Sequence, residues 1–196
     1  MTRGEQAKYI SEKLMENPEF RKAFVGAITD AANEVVKVIK ALQQEPCEMT
    51  VEEYKKYFEL FDPVDYDPRK WVRAAKRAGM KYIVLTVKHH DGFCLFDSAY
   101  TDYKATNTKA GKDLVREFVD ACREEDIKVG LYFSIIDWSH PDFPKYGDKQ
   151  HPMRNNEAYK DEKINFDNYL EYMHNQVKEL VTGYGKLDLL WFDFSY

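Results

Sequence analysis

The sequence predicts an α/β fold, specifically part of a (β/α)8 barrel of the TIM type, preceded by an added helical segment. Three apolar runs, 82–87, 128–134 and 187–194, have the length and residue types of buried strands. Helical patterns separate these runs, and such alternation is typical of a parallel sheet with right-handed crossovers. No glycine-rich phosphate loop follows any run, so a barrel is favoured over a dinucleotide-binding or P-loop fold.

Residues 1–45 are expected to form a helical segment distinct from a barrel domain over residues 46–196. Asn17, Pro18 and Glu19 have the order of a helix start, with a capping amide, a proline and an early acidic residue. Apolar residues then recur at steps of four and three along one stripe: Phe24, Ile28, Ala31, Val35, Val38 and Leu42. We expect this helix to dock on the domain; the alternative is a helix that binds a partner or a second copy of the chain.

The remaining helices are predicted from caps and apolar spacing. The capping box Thr50–Glu53 opens a short helix, and Asp67–Pro68 opens a second helix that Gly79 ends. Amphipathic spacing predicts a third helix over 113–125 and a fourth over about 165–181.

A polar stretch, Lys88-His89-His90-Asp91-Gly92-Phe93, directly follows the first strand, which is expected to be buried on both faces. In a parallel α/β barrel all the strands end at one mouth, where the chemistry of such enzymes is found. His89 and His90 after the first strand, Tyr132 near the end of the second and Asp193 at the end of the third are therefore expected to converge.

One carboxylate beside imidazoles and a phenol suits sugar chemistry, with Asp193 attacking an anomeric carbon. Retaining glycosidases need a second carboxyl group about 5 to 5.5 Å away as acid/base. Asp91 and Asp137 are candidates, although their neighbours single out neither of them. A metal site at His89, His90 and Asp91 is disfavoured because adjacent strand-end residues diverge, so we predict no metal and no organic cofactor.

Composition excludes other classes of protein. The chain has 196 residues and a net charge of -5, which argues against a nucleic-acid partner. No apolar stretch is long enough to span a membrane and the N-terminus lacks a signal-peptide core, so we expect no membrane association and a cytoplasmic location. Cys47, Cys94 and Cys122 have neither close pairing nor metal spacing.

From about Met49 to Tyr196 the sequence resembles the α-L-fucosidases of glycoside hydrolase family 29. The anchors of this resemblance are the stretches 71–82, 88–93, 128–134 and 190–193. The resemblance implies a catalytic barrel domain that removes terminal α-L-fucose from fucosylated carbohydrates with retention of configuration.

The resemblance also implies roles for individual residues. Asp193 would be the nucleophile that forms the glycosyl-enzyme, and His89 and His90 would bind fucose hydroxyls. Tyr132 would line the pocket, and Trp191 would lie against the apolar side of the sugar.

The chain departs from the family at both ends. Family members begin with a strand that carries a Phe-Ile-His-Trp-Gly type motif, which is absent here, and their acid/base carboxylate follows the segment equivalent to Tyr196. Since general acid catalysis is worth roughly 10²–10⁴-fold, we expect a truncated region that is feebly active or inactive alone. The alternatives are a non-catalytic fragment acting in sugar binding or assembly, and another retaining glycosidase on the same scaffold.

Overall fold

The computed structural model describes residues 50–193 together with three helical residues, Pro18, Glu19 and Lys22. The chain divides into two compact units, Met1–Thr50 and Val51–Tyr196. The apolar stripe of the helix predicted there, residues 24–42, lies outside the described residues. The division of the chain at residue 45 stays a prediction.

The second unit alternates helices with strands. Its elements are α1 (Val51–Leu60), α2 (Pro68–Arg77), β1 (Tyr82–Lys88), α3 (Leu114–Glu124), β2 (Lys128–Ser134), α4 (Phe166–Gly183) and β3 (Leu189–Asp193). Two short 3-10 helices, Ala105–Asn107 and Glu157–Tyr159, lie in the loops that follow β1 and β2. The elements predicted from the sequence in this unit are confirmed, with small shifts at their ends.

Local signals explain several helix ends. The Asp67 carboxylate accepts a hydrogen bond of 3.0 Å from the backbone N–H of Lys70 and so caps α2. Gly79 follows this helix with a φ of +80°, a conformation that favours glycine. Asp113 caps α3 in the same way as Asp67 caps α2. Within the described residues, no helix is both long enough and apolar enough to cross a bilayer.

The three strands form one parallel sheet in the order β1-β2-β3. The last register pair of β1 and β2 is Lys88 with Phe133, and the last pair of β2 and β3 is Ser134 with Asp193. The carboxyl ends of all three strands therefore lie along one edge. These observations confirm the α/β class, whereas closure into a barrel stays a prediction.

The core lies between the sheet and the helices and is centred on β2. Its fully buried members come from several elements: Val72, Val87, Val115, Phe118, Leu131, Phe133 and Leu180. β1 departs from the prediction of burial on both faces, because Tyr82 is 58 % exposed and the middle of the strand is only half-buried. The reason is its position: among the described strands β1 lies at the edge of the sheet and pairs only with β2, so it is less covered than the central strand β2.

Candidate active site

The ends of β2 and β3 bring a carboxylate and a phenol together. The Tyr132 hydroxyl donates a hydrogen bond of 2.8 Å to Oδ2 of Asp193. The Tyr132 ring is nearly parallel to the His89 ring, with centroids 5.8 Å apart and an interplanar angle of 15°. It also lies 6.4 Å from the indole of Trp191, its partner in the strand register. Four of the five residues predicted for the site thus form one contiguous group.

His90, the fifth predicted residue, joins this group from the end of β1. Its ring lies 3.8 Å from the His89 ring and 4.9 Å from the indole of Trp138. Its Nδ1 lies 2.8 Å from the hydroxyl oxygen of Ser134, which is the register partner of Asp193. The structure therefore brings together all five residues that the sequence singled out.

These side chains differ in their exposure to solvent. The indole of Trp191 is 55 % exposed, and His89 is exposed as well, so both can contact a ligand that approaches the strand ends. His90 is buried and Tyr132 is half-buried. The result is an aromatic surface around a carboxylate, an arrangement suited to a sugar ring with one apolar and one polar side.

The environment of Tyr132 and His90 keeps both side chains uncharged at neutral pH. Burial, and then the hydrogen bond and negative charge of Asp193, raise the pKa of Tyr132 to about 12. Burial is also the main cause that lowers the pKa of His90; His89 acts in the same direction, whereas Asp193 opposes the shift. Tyr132 is therefore a hydrogen-bond donor beside Asp193, and His90 is an uncharged imidazole.

Asp137 is not available as an acid, in contrast to the suggestion from the sequence. Its Oδ2 accepts hydrogen bonds from the Lys88 ammonium at 3.0 Å and the Tyr172 hydroxyl at 3.2 Å. Its Oδ1 accepts bonds from Ser139 and from the backbone of His140. Burial acts to raise the pKa of Asp137, but the charge of Lys88 and these bonds outweigh it and the pKa is lowered. Asp137 is a structural carboxylate because its oxygens already hold these donors.

Asp91, the other candidate acid, turns toward α1. Its Oδ2 accepts a hydrogen bond of 2.8 Å from the hydroxyl of Tyr54, and its Oδ1 accepts a 3.4 Å bond from the backbone of Phe93. Its contacts thus tie the loop after β1 to α1. Both oxygens of Asp91 therefore already accept hydrogen bonds within the fold.

Gly92 explains why the polar stretch needs a glycine. Its φ is +79°, and a Cβ at this position would lie 2.1 Å from Oγ of Ser139 and 2.3 Å from Oδ1 of Asp137. The loop after β1 therefore packs directly on the loop after β2. The backbone N–H of Trp138 donates a 2.6 Å hydrogen bond to the carbonyl of His90 and strengthens the same contact.

Sequence reasoning missed Ser134 and Trp138 as neighbours of His90. Their only available signal was position, since both lie at or just after the end of β2. Within residues 50–193, no group of three or more histidine, cysteine, aspartate or glutamate side chains is arranged to hold a metal ion.

Comparisons with known proteins identify the family. The α-L-fucosidase family model matches residues 28–196. The chain belongs to the α-L-fucosidase family. The resemblance seen in the sequence motifs is thereby confirmed, and the match begins upstream of Met49, the residue from which the resemblance was expected.

Individual relatives agree with this membership. Alpha-L-fucosidase 1 of Arabidopsis thaliana is 33% identical over 137 residues, which cover 68% of this chain and 23% of that protein. The solved structure of alpha-L-fucosidase isoenzyme 1 from Paenibacillus thiaminolyticus is 67% identical with a TM-score of 0.74, and the match covers 76% of this chain and 35% of that one.

A third relative is a family GH29 α-L-fucosidase from Bacteroides thetaiotaomicron. Its structure shows a trapped covalent intermediate in complex with 2-fluoro-fucosyl fluoride, obtained with a glutamate-to-glutamine mutant. It is 36% identical with a TM-score of 0.61, and the match covers 80% of this chain and 33% of that one. This chain thus spans between 23% and 35% of the length of these three relatives.

Proposed function

We propose that this chain carries the nucleophile and the fucose-binding groups of a retaining α-L-fucosidase whose substrate is a fucosylated carbohydrate. The observation that supports the proposal most strongly is the 2.8 Å hydrogen bond from Tyr132 to Asp193, at the centre of the aromatic and imidazole side chains of the strand ends. Family membership supplies the sugar, and the geometry supports Asp193 as the attacking group. The strands would belong to a partial (β/α)8 barrel.

The proposed reaction has two steps. A carboxylate oxygen of Asp193 attacks the anomeric carbon of fucose, the glycosidic bond breaks, and the departing oxygen takes a proton from an acid. Water then attacks the same carbon, gives up a proton to the acid's conjugate base, and releases fucose and the Asp193 carboxylate. The Tyr132 hydroxyl stabilises the charged carboxylate before attack and after release.

The remaining side chains would hold the sugar. His89 and His90 would form hydrogen bonds with fucose hydroxyls, and Tyr132 would line the pocket beside them. The exposed indole of Trp191 would cover the apolar side of the ring, where its broad face replaces water. The family resemblance implies these roles, and the grouping of the side chains around Asp193 and Tyr132 supports them.

The acid/base carboxylate is a separate question, since Asp91 and Asp137 are both engaged elsewhere. We propose that it is contributed from outside residues 50–193. A chain without it would lose the roughly 10²–10⁴-fold that general acid catalysis supplies. Substrates whose leaving group needs no proton would lose least.

The test is hydrolysis of 4-nitrophenyl α-L-fucoside by the chain and by Asp193→Ala. Asp188→Asn is the control, because Asp188 precedes β3 at the opposite end of the strand and its carboxylate accepts a hydrogen bond from the backbone N–H of Val129. We expect slow turnover that disappears in Asp193→Ala and persists in Asp188→Asn, with α-L-fucose as the first product anomer. Turnover that survives Asp193→Ala would refute the proposed nucleophile.

A second candidate function is fucose binding without catalysis. It is favoured by the engagement of both Asp91 and Asp137 in structural contacts. Calorimetry separates the two functions: a chain that binds L-fucose but hydrolyses no activated fucoside would be a sugar-binding fragment. In that case His89→Ala would weaken binding.

A further inference from the structure

The protons around Ser134 can be counted. Its hydroxyl oxygen makes two short contacts, one of 2.8 Å with Nδ1 of His90 and one of 2.9 Å with the backbone carbonyl of Ile136. The Ser134 side chain is fully buried. Each of the two contacts needs one proton to be a hydrogen bond, and the hydroxyl has only one.

The carbonyl decides where that proton lies. A carbonyl oxygen can only accept, so the Ser134 hydroxyl donates to Ile136. The contact with Nδ1 then needs a proton from His90. In the opposite tautomer, Nδ1 would present a lone pair to Ser134, and one of the two buried contacts would hold no proton at all. Buried polar groups are rarely left in that state.

Only a neutral imidazole has distinct tautomers, so the charge state of His90 comes first. Burial and the neighbouring His89 lower its pKa, so the ring is neutral at neutral pH. A neutral imidazole has one N–H and one lone pair, and the position of the proton on one nitrogen fixes the role of the other.

We propose that Ser134 is a positioning residue that holds His90 in the Nδ1–H tautomer, so that Nε2 is the hydrogen-bond acceptor for a hydroxyl of the bound sugar. The proton placement follows from the two contacts of the Ser134 hydroxyl. Only the role toward the sugar rests on the proposed function.

The surroundings keep His90 and Ser134 in this geometry. The Trp138 indole packs against the His90 ring, and its backbone N–H holds the His90 carbonyl. Ser134 is fixed by its place at the end of β2, opposite Asp193. The nucleophile and the tautomer of the neighbouring imidazole therefore depend on the same pair of strand ends.

The chain contains its own controls. Nδ1 of His140 accepts a 3.1 Å hydrogen bond from the backbone of Asp142, and Nδ1 of His151 accepts a 2.9 Å bond from the backbone of Met153. A nitrogen that accepts cannot carry the proton of a neutral ring, so both side chains are expected as the Nε2–H tautomer. His90 is expected to differ from both.

Nitrogen-15 NMR of the folded chain, labelled at histidine, measures the tautomers directly at a pH where the rings are neutral. We expect a pyrrole-type shift at Nδ1 of His90 and a pyridine-type shift at Nε2, with the reverse pattern for His140 and His151. The loss of one ring's signals in His90→Gln assigns His90. An Nε2–H pattern for His90, like that of the two control histidines, would overturn the proposal.

Variants at Ser134 test whether its hydroxyl holds His90 in the Nδ1–H tautomer. Ser134→Ala removes the acceptor, so the His90 pattern should shift toward the Nε2–H form, whereas Ser134→Thr keeps the hydroxyl and should keep the Nδ1–H pattern. If Ser134→Ala fails to fold, the wild-type and Ser134→Thr spectra still show whether His90 has the Nδ1–H pattern. An unchanged His90 pattern in folded Ser134→Ala would show that Ser134 does not hold the proton.

The sugar role has a separate readout. Addition of L-fucose should move the Nε2 signal of His90 and leave His140 and His151 in place. A titration that moves no His90 signal would refute the role of Nε2 in sugar binding. The Nδ1–H pattern in the same spectra would still support the placement of the proton, so the two failures can be told apart.

Discussion

The ammonium of Lys88 lies 3.0 Å from Oδ2 of Asp137, and both side chains are completely buried. The two residues are 49 positions apart in the sequence and meet near the carboxyl ends of β1 and β2. The Lys88 ammonium also lies 4.5 Å from the centroid of the Phe133 ring. This ion pair fixes the loop that carries His89 and His90 to the loop that carries Trp138.

Removal of one partner of this pair should be strongly destabilising. We expect Asp137→Ala to lower the free energy of unfolding by about 3–5 kcal/mol, because Lys88 would be left as a buried charge without its carboxylate. Urea denaturation followed by circular dichroism measures the change. The exposed pair Arg69–Glu124, joined at 2.7 Å, provides the control. Arg69→Ala should leave the midpoint nearly unchanged, and an equal loss in both variants would contradict the account.

The same pair predicts an acid dependence. The folded-state pKa of Asp137 lies below its ordinary value of 3.8, so its carboxylate contributes stability above that pH and loses the contribution as the pH falls through the folded pKa. The difference in unfolding free energy between wild type and Asp137→Asn should therefore be constant near neutrality and shrink in strong acid. A difference that grows as the pH falls below 3.8 would have the wrong sign.

A comparison of alanine substitutions at Gly92 and Gly79 distinguishes the cost of backbone strain from the cost of a steric clash. Both have a φ near +80°, but a Cβ at Gly79 meets nothing within 4 Å, whereas one at Gly92 would collide with Ser139 and Asp137. Gly79→Ala should cost about 1–2 kcal/mol of stability, the penalty of the left-handed conformation. Gly92→Ala should cost about 1–3 kcal/mol more because the two loops must separate. Equal melting temperatures of the two variants would show that the loops are not in contact.

The phenol of Tyr132 should lose its proton at a higher pH than a free tyrosine does. Burial and Asp193 raise its pKa to about 12, above the value of 10.0 for a free phenol, so its contribution to stability is present below pH 10 and lost as the pH rises through 12. Asp193→Asn removes a charge and should lower this pKa part of the way, since burial remains. NMR of ring-labelled tyrosine follows the titration. An unchanged pKa in Asp193→Asn would contradict the contribution of the Asp193 charge to the pKa of Tyr132.

The sequence could predict the elements because their signals are local. The run 128–134 has the length of β2 and matches it residue for residue, and Gly79 ends α2 through its own backbone preference. The convergence of His89, Tyr132 and Asp193 could also be predicted, since the ends of parallel strands meet at one edge.

The contacts that organise the site could not be predicted in the same way. Whether Asp137 is an acid or the partner of Lys88 depends on the path of two loops, which no local pattern specifies. The burial of β1 was overestimated for a similar reason, because an apolar run has the same composition in a central strand and in a strand paired on one side. Ser134 carries no sequence signal beyond its place at a strand end.

Trapping with 2-fluoro-fucosyl fluoride tests most directly whether Asp193 is the nucleophile. Fluoride departs without a proton, so the reaction does not depend on the acid/base carboxylate, and the fluorine at C2 slows hydrolysis of the intermediate. We predict that peptide mass spectrometry finds one 2-fluoro-fucosyl group on Asp193, in wild type and in Asp188→Asn but not in Asp193→Asn. A folded wild-type chain that stays unlabelled, or that carries the label on another carboxylate, would contradict the account.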